Sequence, residues 1–171
     1  MEILKKPFNV EDMLKVLERA IEYSKGLLTT CKEEYEVVGA SDVMFEVFKK
    51  VGIASSNDLN VLITGETGVG KDLIAKLIHL NSNRKDEPFV VINCPSIPWD
   101  LFEIELFGFV KAAFTGATVD RKGKAELADK GTLFLNEIGD LPYKLQAKLL
   151  GFIERKSFYP VGGTKEIKVD V

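Results

Sequence analysis

Gly65, Gly68 and Gly70 lead directly into Lys71 in the run Gly65-Glu66-Thr67-Gly68-Val69-Gly70-Lys71-Asp72, the spacing G-x-x-x-x-G-K. A backbone curls tightly enough for successive N–H groups to converge only where key positions lack a Cβ. Converging amides at the start of a helix form an anion seat, and the helix dipole strengthens it. A lysine at the last position adds a reaching positive charge for terminal phosphates. The flanks suit this: Asn60–Glu66 reads as a buried strand entering the loop, and Lys71–Ser82 as a helix leaving it. The candidate nucleotide-binding residues are therefore Gly65, Glu66, Thr67, Gly68, Val69, Gly70, Lys71 and Asp72, with ATP the expected nucleotide. The general motif places Ser or Thr after the lysine to hold Mg²⁺, and here that position is Asp72. A glycine-rich turn with a stray lysine would fit the loop but not its flanks.

A phosphate loop that hydrolyses its nucleotide needs a metal-holding acid at the end of a neighbouring strand and a group to orient water. Leu133-Phe134-Leu135 followed by Asn136 and Glu137 has that form, with Asn136 where an aspartate is usual. An amide offers Mg²⁺ a carbonyl oxygen but no charge. Glu137 retains the carboxylate needed to polarise water. An ordinary polar turn closing a strand is the simpler reading of these two residues taken alone.

Short apolar runs alternate with helical patterns from Tyr35 onward. Helices are expected over 41–55 (with Ser41 as cap), 71–82 and 142–156; strands over 60–66, 88–94 and 131–138, with a further one beginning at 165–171. This alternation indicates a parallel α/β sheet. Ahead of it, Val10, Met13, Leu14, Leu17 and Ile21 repeat at helical spacing, giving an amphipathic helix over 10–28 that needs a surface to pack on. The stretch 29–36 reads as a linker. The expected domains are 1–34 and 35–171. Apolar residues make up 46% of the 171 positions, enough for a core. With 23 basic and 26 acidic side chains the formal charge is −3, which gives no general affinity for nucleic acid or an anionic membrane. No apolar run reaches membrane-span length, and the N-terminus lacks the apolar region of a signal peptide. Cys31 and Cys94 read as free thiols, and a cytoplasmic location is expected.

Several stretches together resemble the AAA+ domain of NtrC-type bacterial enhancer-binding proteins, the activators of sigma-54 RNA polymerase. They are 65–79 (GETGVGKDLIAKLIH), 89–98 (FVVINCPSIP), 105–117 (ELFGFVKAAFTGA), 126–142 (ELADKGTLFLNEIGDLP) and 146–154 (QAKLLGFIE), and the FTGA element is the most specific. The resemblance implies a P-loop NTPase sheet with flanking helices, C-terminally incomplete and preceded by a linker helix that follows the tail of a response-regulator receiver domain (Lys6-Pro7). It implies that an acid at Asp72 is ordinary, that Asp72 and Asn136 face Mg²⁺, and that Glu137 is the catalytic acid. It also implies that Asn93 senses the nucleotide by pairing with Glu137. Ala112, Ala113, Phe114, Thr115, Gly116 and Ala117 would form the loop that touches the sigma factor, with Phe114 as its exposed contact. Partners would be sigma-54 RNA polymerase and further copies, or a full-length homologue, in a ring.

Departures from the family pattern are Ala112 for Gly, Phe109-Val110 for His-Glu, Asn136 for Asp, Lys130 for Gly and Gly151 for Arg. In the family's sheet order, 5-1-4-3-2, the fourth strand would begin at the final residues, and the arginine fingers, lid and DNA-binding helices follow it. The expectation is therefore weak or absent hydrolysis by this chain alone, not rescued by Asn136→Asp, and no direct DNA binding. Other readings are a non-catalytic module that joins or inhibits an intact homologue or the sigma factor, and a degenerate product without function.

Overall fold

The computed structural model describes residues 42–171. The amphipathic helix over 10–28, the linker, Cys31 and the Ser41 cap lie outside the described residues. The chain divides into units Met1–Lys49 and Lys50–Val171. In order, the elements are α1 (Asp42–Ser55), α2 (Lys71–Leu80), β1 (Phe89–Asn93), α3 (Trp99–Phe107), β2 (Gly108–Phe109), β3 (Arg121–Lys122), α4 (Lys124–Leu127), β4 (Thr132–Asn136), α5 (Tyr143–Arg155), β5 (Ser157–Phe158) and β6 (Ile167–Lys168).

The sheet that positions the site is the parallel pair β1–β4, in register from Phe89 opposite Thr132 to Asn93 opposite Asn136. Both runs are rich in β-branched and aromatic residues, which fit a pleated, covered surface. The parallel pairing agrees with neighbouring second and third strands in the expected order. β2 pairs antiparallel with β3, and β5 antiparallel with β6. The core lies under β1 and α5, where Ile92, Phe102, Leu106, Phe107, Leu149, Phe152 and Phe158 are buried. The rings of Phe107, Phe152 and Phe158 meet with centroids 5.1–5.9 Å apart, tying the end of α3 to α5 and β5. Burying each such side chain contributes about 1.5–3 kcal/mol. Cys94 is a buried free thiol whose pKa burial raises.

One expected strand is not formed. Residues 60–66 have no ladder partner among the described residues, and Val61 and Leu62 are 47% and 75% exposed. A strand exists by satisfying its backbone groups on a neighbour, so an apolar β-branched run alone does not make one. A trough of about 610 Å³ runs between this segment and β4. The stretch 165–171 contributes only the two residues of β6, which pair with β5 and not with the parallel sheet.

Other bounds shift at their ends. β4 stops at Asn136 because Glu137 adopts a left-handed backbone, φ 53°, before a 3₁₀ turn over Ile138–Asp140. α2 ends at Leu80, two residues short of the expected 82, where the Asn81 side chain donates to the Leu77 carbonyl at 2.8 Å. α3, α4 and the β2–β3 ribbon were not evident from periodicity, being short or too uniformly apolar.

Arg84 holds the last residues against the body. Its guanidinium donates to Asp170 Oδ1 at 2.6 Å, to the Asp170 carbonyl at 2.8 Å, to the Lys130 carbonyl at 3.1 Å and to Asp58 Oδ1 at 3.2 Å. The hydrogen bond from Arg84 holds the Asp170 carboxyl below the usual carboxylate range. No helix among the described residues is long and apolar enough to cross a membrane.

Candidate nucleotide-binding site and the exposed loop

The phosphate-loop sequence turns on two left-handed glycines, Gly68 at φ 84° and Gly70 at φ 86°. Gly70 is the residue before α2, and no side chain caps that helix. The first-turn amides of α2 are thus left facing the loop, with the dipole's positive end behind them. Asp72 is exposed in the same turn. The Lys71 side chain runs back beneath the loop and donates from Nζ to the carbonyls of Gly65 at 3.1 Å and Glu66 at 3.0 Å. Its Nζ stands 4.0 Å from Glu137 Oε1. Gly65, Lys71, Asn136 and Glu137 all line the trough, so the loop, the end of β4 and the Glu137 carboxylate face one space.

The left-handed turn at Glu137 aims its carboxylate at Lys71 instead of along the strand. No hydrogen bond joins it to Asn93 among the described residues. Asn93 is exposed at the end of β1, and its closest strand relation is to Asn136, its register partner. The expected Asn93–Glu137 pair is therefore not formed. Asn136 and Glu137 line the trough beside Lys71, whereas Asp72 does not line it, and no group of three or more His, Cys, Asp or Glu side chains gathers around a metal position among the described residues. These residues suit a cation that is carried in by its phosphates and keeps several waters, as Mg²⁺ does.

Ala112 to Ala117 form a closed turn beyond β2. The Ala112 N–H donates to the Ala117 carbonyl at 2.8 Å, and the Ala117 N–H to the Phe114 carbonyl at 3.0 Å. Ala112 has φ 66°, a conformation natural to glycine. Thr115 and Gly116 are exposed, and Phe114 is 43% exposed, its ring packed against Phe109.

Three features were missed from sequence. His79, buried on α2, has Nδ1 2.9 Å from the Thr132 hydroxyl of β4. Arg84 joins stretches distant in sequence. The left-handed backbone of Glu137 redirects the carboxylate. An isolated His or Arg carries no signal of a distant partner, and Glu137 lacks the glycine or asparagine that commonly marks such a backbone.

A family described as the Sigma-54 interaction domain matches residues 37–171. The DNA-binding transcriptional regulator NtrC of Escherichia coli is 41% identical over 175 residues, covering 99% of this chain and 37% of that protein. The regulatory protein LuxO of Vibrio vulnificus is 51% identical over 134 residues, 78% of this chain and 30% of LuxO. Among solved structures, NtrX from Brucella abortus in complex with ATP superposes with a TM-score of 0.70 at 36% identity, over 98% of this chain and 38% of NtrX. The chain thus spans 30–38% of the length of these relatives.

Proposed function

The chain belongs to the Sigma-54 interaction domain family, the AAA+ domain of NtrC-type activators, and from that premise we propose that it binds ATP as the nucleotide-holding part of such an activator. The observation that carries the reading is the loop itself. Gly68 and Gly70, both left-handed, lead into the uncapped start of α2, where the Lys71 ammonium stands 4.0 Å from the Glu137 carboxylate. Gly65 to Asp72 would hold the phosphates, and Lys71 would leave the Gly65 and Glu66 carbonyls for the terminal phosphate. Asp72 and Asn136 would face Mg²⁺ through its waters, and Glu137 would orient the attacking water. Bound Mg²⁺–ATP supplies the phosphoanhydride and the charge neutralisation that the protein lacks. NtrX, a relative at 36% identity, has been solved with ATP, which supports the choice of nucleotide. Ala112 to Ala117 would touch the sigma factor, within a ring made with further copies or an intact homologue.

Binding without appreciable turnover is favoured by one observation: Asn136, which brings no charge, stands where a charged metal ligand is usual. Hydrolysis assayed with the purified chain in ATP and Mg²⁺ is expected to stay near background. Sustained turnover well above it would overturn this part of the reading.

A further inference from the structure

The root and the tip of the 112–117 turn are held differently. At the root, Phe109 lies in β2 opposite Arg121. The Val110 N–H donates to the Val161 carbonyl at 3.1 Å, and the Val161 N–H to the Gly108 carbonyl at 2.9 Å. Lys111 N–H donates to Asp120 Oδ1 at 2.6 Å. Gly162, at φ 74°, comes so close that a Cβ there would sit 2.6 Å from the Ala113 Cβ. The root is therefore locked on two sides. The tip, 114–116, is held only from within the turn, by the Ala117 N–H to the Phe114 carbonyl at 3.0 Å and the Thr118 N–H to the Gly116 carbonyl at 2.9 Å. Its residues are small, Gly116 turns the chain at φ 100°, and the one aromatic contact of Phe114 is the Phe109 ring, with centroids 5.0 Å apart and planes tilted by 59°. That separation and tilt lie in the range where aromatic rings attract through their quadrupoles.

We propose that Phe109 is the positioning residue for Phe114: its ring holds the tip folded down, and a partner engages Phe114 only by taking it from Phe109. The proposal rests on reading 112–117 as the sigma-factor contact loop. It gives a use to Phe109, a position where the family pattern has histidine. Phe109 sits in β2, paired with β3, and Phe114 in the turn that follows, so the ring contact ties the turn back to the strand. The partner surface that competes is one that buries an aromatic ring. A ring pair of this kind biases a two-state tip by roughly two- to tenfold. The apparent affinity of any partner that needs the tip free is lowered by the same factor.

The test compares the full chain with Phe109→Ala, Phe109→Leu and Phe109→Tyr. NMR ring shifts of Phe114 and amide hydrogen exchange over 112–117 report the tip, and exchange in β1 and β4 reports global stability. Phe109→Ala and Phe109→Leu are expected to abolish the ring-current shift of Phe114. They should speed tip exchange about two- to tenfold while β1 and β4 are unchanged, and Phe109→Tyr should retain the parent values. Titration with purified sigma-54 is expected to show Phe109→Ala binding about two- to tenfold more tightly than the parent. Tip shifts and exchange that are the same in Phe109→Ala and Phe109→Leu as in the parent would overturn the proposal. So would tip exchange that rises only together with that of β1 and β4. A tip that responds as expected in variants that all fail to bind sigma-54 would uphold the ring contact and overturn the contact-loop reading instead.

Discussion

Nδ1 of His79 lies 2.9 Å from the hydroxyl of Thr132, joining the helix that begins at Lys71 to the strand that ends at Asn136. The imidazole is buried and lies 5.0 Å from the Phe89 ring, so the link passes between α2, β1 and β4 through one side chain.

Burial lowers the His79 pKa from its ordinary value. The unfolded chain therefore takes up the proton first. Stability contributed by neutral His79 is present above the ordinary imidazole value, about 6.5, and is lost as the pH falls from there toward the folded pKa. Urea unfolding midpoints are expected to drop as the pH falls below about 6.5. His79→Gln should cost about 1 kcal/mol at pH 8 and flatten the dependence below that value. A slope unchanged by His79→Gln would show that other groups set it.

Arg84 is expected to matter beyond its charge. Its removal takes a donor from the exposed carbonyls of Lys130 and Asp170, of which the Asp170 carbonyl keeps the Lys130 N–H at 2.8 Å, while Asp170 and Asp58 are exposed enough for water to screen the ion pairs. Arg84→Ala should therefore lose about 0.5–1.5 kcal/mol in denaturant unfolding, and Arg84→Lys should recover little, because an ammonium cannot reach all four acceptors at once. The Asp170 carboxyl, held low by Arg84, adds a contribution that is present above its ordinary range and lost as the pH falls through its folded value. That acid-side loss should shrink in Arg84→Ala, leaving the part that Lys130 maintains.

Lys130 adopts φ 69°, where an L side chain is strained. Lys130→Gly relieves the strain but gives the unfolded chain more freedom, leaving a net gain of about 0.5–1 kcal/mol. Thermal or urea unfolding checks the sign. A loss would mean that the Lys130–Asp170 ion pair at 3.5 Å outweighs the backbone.

The loop of Gly65 to Lys71 was legible because its chemistry is written in glycine spacing, and the β1–β4 core because its apolar runs are covered by helices nearby in sequence. Residues 60–66 looked like a strand for the same reason as 89–93. The difference between them is a ladder partner, which no local pattern encodes. Ala112 and Lys130 stood out as departures from glycine, and their positive φ angles supply the physical meaning. Gly151 stood out as a lost arginine, yet the Arg155 guanidinium folds over it, 2.6 Å from where a Cβ would sit. Such replacements across a helical turn, like the Phe109–Phe114 contact, appear only once side chains are placed.

Calorimetric titration of the purified chain with ATP, with and without Mg²⁺, tests the central claim most directly. The account predicts saturable one-to-one binding, at most modestly improved by Mg²⁺ because Asn136 brings no charge, and abolished by Lys71→Ala in a chain that remains folded. A folded parent chain that binds no ATP, or binds it equally well after Lys71→Ala, would contradict it.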